Sequence, residues 1–187
     1  MKIIKHRVNR ISDFEFDYGI EIDVRDYNGE LVLSHDYPNK NDFLLKNYLN
    51  DIPLDTMIAI NVKSCGIEEN LKNIITDLNI RNYFVFDFSF PYLLKAQEFG
   101  ITTAFRLSEY EKDEQDFCKW VWIDCFNSIW YDSKFLKSLK DKKFKIAIVS
   151  PDIHNRQNKD EFLKIKKLDN ENLIDVICTK YPEVWND

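Results

Sequence analysis

Short runs of β-branched and aromatic residues recur along the chain at intervals of roughly 20 to 25 residues, the signature of buried strands separated by other elements. They read Ile3-Ile4, Tyr18 to Val24, Leu31 to Leu33, Met57 to Val62, Tyr83 to Phe88, Thr102 to Leu107, Trp120 to Cys125, Phe144 to Val149 and Val176 to Thr179. Leu31 to Leu33 lies just across Asn28-Gly29 from the run before it and extends the second strand region, which leaves eight strand positions. Between them, Asp42 to Leu49, Ile67 to Leu78, Pro91 to Phe99, Ser108 to Phe117, Ser133 to Lys140 and Lys159 to Leu168 carry apolar residues at helical spacing. Asn41 or Asp42, Pro91 and Asp132-Ser133 supply start signals, and Gly100 after Phe99 supplies a stop.

Strands alternating with helices imply parallel pairing through right-handed crossovers, and eight of them imply an α/β fold of the (β/α)8 barrel type. The chain has 187 residues, whereas such barrels usually take about 250. The first crossover, from about Asn9 to Asp17, is too short for an ordinary helix. The expectation is therefore a compact TIM barrel with parallel strands and at least one reduced or missing helix. No linker, repeat or low-complexity stretch interrupts residues 1–187, which read as a single domain. The lysine-rich run Lys134 to Lys145 reads as a solvated helix face.

Composition narrows the function. Lys plus Arg number 26 against 32 Asp plus Glu, a net charge of -6, so the basic footprint of a nucleic-acid binder is missing. No apolar run reaches the ~20 residues of a membrane span, so no stable membrane insertion is expected. Met1-Lys2-Ile3-Ile4-Lys5 is too short and too charged for a signal peptide. Cys65, Cys118, Cys125 and Cys178 are widely spaced without a CxxC, as in a reduced, cytoplasmic protein. The four glycines form neither GxGxxG nor a P-loop, and GxSxG and HExxH are absent. Dinucleotide folds, P-loop enzymes, nucleophile-elbow hydrolases and zincins are excluded.

Barrel enzymes carry their chemistry at the C-terminal ends of the strands. There, His6-Arg7 ends the first strand. Glu21 and Asp23 alternate with Ile20, Ile22 and Val24, so both carboxylates share one face. Carboxylates on an apolar strand are costly unless paired or bound to a cation. His35-Asp36 follows Gly29, and Asn61 and Lys63 repeat the alternation on the third strand. Two of only three histidines thus flank a carboxylate pair. Asp87, Arg106, Asp124, Trp122 and Thr179 occupy later strand ends as candidate pocket residues, and His154 lies in the loop after the seventh strand.

These residues carry a resemblance. His6-Arg7, Gly19-Ile20-Glu21-Ile22-Asp23-Val24 and Asn28-Gly29-Glu30-Leu31-Val32-Leu33-Ser34-His35-Asp36 are similar to the N-terminal signature of glycerophosphodiester phosphodiesterases. That family belongs to the phosphatidylinositol-phospholipase-C-like barrel enzymes of lipid metabolism. Further on, Asn61-Val62-Lys63 resembles the family's third-strand Glu-x-Lys, Ser89-Phe90-Pro91 its fourth-strand turn, and Thr179-Lys180-Tyr181-Pro182 its closing Thr-x-x-Pro. The sequence departs from the pattern in four places. Val8 stands where glycine follows His-Arg, Asn61 where a third carboxylate is usual, the Glu-Asn-Thr stretch is absent, and the seventh strand lacks its tryptophan.

The resemblance implies hydrolysis of a small glycerol- or polyol-phosphodiester. One divalent cation, Mg2+ or Ca2+, would sit on Glu21, Asp23 and Asn61. Arg7 and Lys63 would bind the phosphate, with Asp87, Arg106 and Asp124 shaping the substrate pocket. His6 and His35 would act as general acid and base, with their order open. The expected partner is the small substrate alone, to a monomer or simple homo-oligomer. Two other readings compete: a phospholipase or lyase acting on lipid head groups, and a phosphate-binding barrel without turnover, to which Asn61 lends weight.

Overall fold

The computed structural model describes residues 1–186. The chain folds as two compact units, Arg7–Thr103 (the N-terminal unit) and Met1–His6 with Ala104 onward (the C-terminal unit). Strands and helices alternate through both. The fold is of the α/β class and (β/α)8 type, with five α-helices rather than eight among the described residues.

In the N-terminal unit, β2 (Gly19–Tyr27) pairs in parallel with β4 (Ile58–Val62), which pairs in parallel with β5 (Tyr83–Phe86). β3 (Glu30–Leu33) folds back antiparallel on β2, joined by Asn28-Gly29, both with positive φ. Asn-Gly is the pair such a tight hairpin demands. The expected extension of the second strand is therefore a strand of its own, running the opposite way. Ile20, Ile22 and Val24 of β2 and Ile58, Ile60 and Val62 of β4 enter one core with Leu45 and Leu49 of α1 (Leu45–Asn50) and Leu71 and Ile75 of α2 (Glu68–Asp77). By strand alternation, Glu21, Asp23, Ala59 and Asn61 face the opposite side.

Helix α3 (Phe90–Glu98) starts with Pro91 in its first turn. It ends at Gly100, whose φ of 66° lets Ile101 N–H reach back to Ala96 O at 3.0 Å. That is the bond pattern of a left-handed helix stop.

In the C-terminal unit, β1 (Lys2–Lys5) pairs with β9 (Val176–Thr179), β9 with β8 (Lys145–Val149), β8 with β7 (Trp120–Ile123) and β7 with β6 (Ala104–Leu107), all parallel. β7 and β9 are buried at every position, as strands covered on both faces must be. Helix α4 (Ser133–Asp141) is capped by Asp132, which accepts Phe135 N–H at 2.8 Å, and it buries Leu136 and Leu139. Helix α5 (Lys159–Asp169) is capped by Asn158 and buries Ile165 and Leu168.

One expected helix is absent. Ser108 to Phe117 forms turns and loop instead. The Ser108 hydroxyl accepts the N–H groups of Tyr110 (3.2 Å) and Glu111 (3.1 Å), a local turn that competes with helix. The Glu109 carboxylate is engaged far away, by the N–H groups of Phe126, Asn127 and Ser128 at 2.9–3.0 Å. The first crossover is reduced to a 3-10 turn at Ile11–Asp13, in line with its length.

Candidate active site

Most of the candidate chemistry lies in the N-terminal unit, on β2 and on and just beyond the carboxyl end of β4. Glu21 and Asp23 are each 1% exposed. Parallel pairing sets Asp23 beside Asn61, so three oxygen-bearing side chains share one face. Asp23 is held by Asn9 from both sides: Asn9 Nδ2 donates to Asp23 Oδ2 and Asp23 N–H donates to Asn9 Oδ1, each at 2.9 Å. Arg7 Nε and Lys63 Nζ approach Asp23 at 3.5 Å, one on each carboxylate oxygen. Arg7 adopts φ 56°, an uncommon conformation for a side-chain-bearing residue, and its N–H donates to Glu21 Oε2 at 2.7 Å.

Two buried carboxylates thus share this face with Arg7 and Lys63. Burial, and next to it the neighbouring Asp23, push the Glu21 carboxyl up to about 8, against the opposing bonds from Arg7 and Asn61. Asn61, also buried, has an Oδ1 with no hydrogen-bond partner among the described residues. A buried acceptor left open between two buried carboxylates is what a hard cation with oxygen ligands would satisfy. The residues fit such an ion. Among the described residues no three His, Cys, Asp or Glu side chains form a metal-holding group, and the third oxygen donor here is the Asn61 amide.

His35 follows β3 and is tied in by Arg25. The Arg25 guanidinium donates to His35 O (2.9 Å through Nη2, 3.3 Å through Nε) and to Lys63 O (3.0 Å through Nη1). One side chain thereby sets the spacing of two candidate residues. His35 Nδ1 lies 2.8 Å from Asp36 Oδ1, and that bond, more than the neighbouring charges, holds the Asp36 carboxyl below its ordinary range. Asp87 follows β5 with φ 67°.

The remaining candidates belong to the C-terminal unit. His6 is the first residue past β1, its N–H donating to Thr179 O at 2.8 Å. Arg106 Nη1 donates to Asp124 Oδ2 at 2.7 Å, so these two pair with each other. Asp124 is 4% exposed and also receives Cys125 N–H (2.8 Å) and faces His154 Nε2 (2.6 Å). Sequence reasoning missed Asn9 and Arg25. Arg25 shares the parity of Glu21 and Asp23, so the strand period pointed to it. Nothing near Asn9 in the sequence announced its partner fourteen residues away.

This fold, with oxygen donors and cations gathered on β2 and β4, is shared with solved α/β barrel structures. The structure is similar to the glycerophosphodiester phosphodiesterase from Agrobacterium tumefaciens str. C58, with a TM-score of 0.77 and 14% identity over 98% of both chains. It is similar to a putative glycerophosphodiester phosphodiesterase from Galdieria sulphuraria (0.76, 14%, covering 99% of this chain and 96% of that one). The enzyme of the same description from Thermotoga maritima follows (0.68, 17%, 89% and 83%). The sequence matches no protein-family model and no curated protein. At these identities the likeness shows a shared fold.

Proposed function

We propose that the protein is a divergent glycerophosphodiester phosphodiesterase, a metal-dependent hydrolase of small glycerol- or polyol-phosphodiesters. The observation that carries this is the buried Glu21–Asp23–Asn61 face, with Asn61 Oδ1 open, next to Arg7 and Lys63. The shared fold supports it.

Glu21, Asp23 and Asn61 would hold one divalent cation, Mg2+ or Ca2+, which when bound neutralises charge on the phosphodiester. Every other task falls to side chains of the chain. Arg7 and Lys63 bind the non-bridging phosphate oxygens, Arg7 with a fork suited to two of them. Asn9 fixes the Asp23 carboxylate, and Arg25 fixes the backbone of His35 and Lys63. His6 and His35 divide the proton work. One takes the proton of the attacking hydroxyl or water, and the other gives a proton to the departing alkoxide. Asp36 orients the His35 ring through Nδ1 and so leaves Nε2 for the substrate. Asp87, Arg106 and Asp124 border the alcohol. Among the described residues no helix is long and apolar enough to cross a membrane, which suits a soluble diester.

The test is a screen of the purified protein with Mg2+, Ca2+ or Mn2+ against a generic chromogenic phosphodiester and a panel of glycerophosphodiesters. Turnover that chelator abolishes and added cation restores supports the reading. Absence of turnover with every cation and diester overturns it.

A further inference from the structure

The third histidine is tied to a buried carboxylate, and the acid–base scheme makes no use of it. His154 closes a 3-10 turn, Pro151–His154, directly after β8. That loop is anchored on every side. Asp152 accepts Thr179 Oγ1 (2.9 Å), Lys180 N–H (2.7 Å) and the Ser150 hydroxyl. Arg156 donates to Phe126 O (2.7 Å) and Cys125 O (2.8 Å), and Lys180 Nζ to Ile153 O (3.0 Å). Within it the imidazole is fixed twice, by Asp124 on Nε2 at 2.6 Å and by the Phe126 ring at 4.9 Å. Among the described residues Nδ1 of His154 makes no hydrogen bond, and it is not one of the buried atoms left without a partner, so it faces solvent. A ring whose Nε2–H donates to Asp124 presents Nδ1 as an acceptor.

The surroundings decide what that acceptor meets. A positively charged alcohol would need a free carboxylate or an open aromatic face. Asp124 is taken by Arg106, His154 and Cys125 N–H, and Glu109 by three backbone N–H groups. Glu111 faces Ser108 Oγ at 3.2 Å and Arg106 at 3.8 Å. Two of the neighbouring aromatic faces carry the chain's own cations, Lys112 Nζ 4.0 Å from the Trp130 ring centroid and Arg106 5.7 Å from that of Phe126, and the Tyr110 ring lies against Phe126 with its hydroxyl accepting from Asn127 Nδ2 at 2.7 Å. What remains is a fixed acceptor for a hydroxyl. Only β9 separates β8 from β1, which ends at His6. Two strand spacings amount to about 10 Å, the scale of one small phosphodiester.

We propose that His154, oriented by Asp124, is a specificity residue that accepts a hydroxyl of the substrate's alcohol and so selects polyol over ammonium-bearing phosphate esters. This rests on the phosphodiesterase reading. A site that hydrogen-bonds a hydroxyl disfavours the analogue lacking it.

Two measurements test it. In the first, kcat/KM is compared for glycerophosphoglycerol and glycerophosphocholine. The wild type favours the former by at least about tenfold, one well-made hydrogen bond's worth. His154→Phe, which keeps the ring contact with Phe126, brings the ratio towards one through KM. His154→Gln, whose amide can serve both Asp124 and a hydroxyl, keeps most of it. In the second, calorimetry compares glycerol 3-phosphate with phosphocholine, and the same preference appears in wild type and His154→Gln and is lost in His154→Phe. A protein that turns over neither diester yet keeps the binding preference defeats the phosphodiesterase reading and leaves this site standing. Equal binding of the two esters by the wild type, or a preference that survives in His154→Phe, overturns the proposal.

Discussion

The two units each bury carboxylates on or beside their strands and hold them differently. Asp124 in the C-terminal unit meets a guanidinium at 2.7 Å, an imidazole at 2.6 Å and a backbone N–H at 2.8 Å. Glu21 and Asp23 in the N-terminal unit share two cations that come no closer than 3.5 Å to Asp23, and Glu21 is pushed towards its protonated form. The same residue type thus meets its cation in close contact in one unit, while in the other Asp23 meets its cations at longer range. Burying carboxylates is costly, and those whose protonation is strongly perturbed cluster at functional sites.

The comparison breaks most visibly by unmatching Asp124. Arg106→Met removes its guanidinium partner and leaves a buried carboxylate under-compensated. The variant should lose about 3 kcal/mol or more of folding stability in denaturant titration, as breaking a buried pair does. A loss within about 0.5 kcal/mol would show that Asp124 is not held by charge matching.

Next come the acid and base. His6→Ala and His35→Ala should each lower kcat by at least ~100-fold with little change in melting temperature, since both side chains lie beyond strand ends. Near-wild-type turnover in either variant would remove that histidine from the mechanism.

A smaller effect lies in the pH dependence of the metal-free protein. With Glu21 raised from 4.5 to about 8, the folded state holds a proton that the unfolded chain has released across that window. The stability of the metal-free form should then fall as pH rises from about 5 to 8. Glu21→Gln, which cannot ionise, should flatten that decline in thermal melts. Identical pH profiles for wild type and Glu21→Gln would show that Glu21 is ionised and already compensated.

Much of this was legible in the chain. Val176–Thr179 forms a strand over the predicted residues because an isolated apolar run has few alternatives in a compact fold. Glu21 and Asp23 share a face because strand alternation admits nothing else. Ser108 to Phe117 misled because helical spacing is local, while the bonds of Glu109 to residues 126–128 are not. Asn9 stayed invisible for the same reason. The pairing of Arg106 with Asp124 depends on β6 lying beside β7, and that of Asp124 with His154 on the loop after β8, neither of which the sequence pattern specifies.

The central claim is that the face formed by Glu21, Asp23 and Asn61 is completed by a divalent cation. Asn61 offers an amide oxygen in place of a carboxylate, so it supplies a ligand without a charge. Calorimetric titration of Mg2+ and Ca2+ into chelator-treated protein, run beside a phosphodiester assay, tests this most directly. The account predicts a single site per chain, tighter binding in Asn61→Glu, and activity that returns with the metal. No cation binding in either protein, or full activity of the chelator-treated wild type, would contradict it.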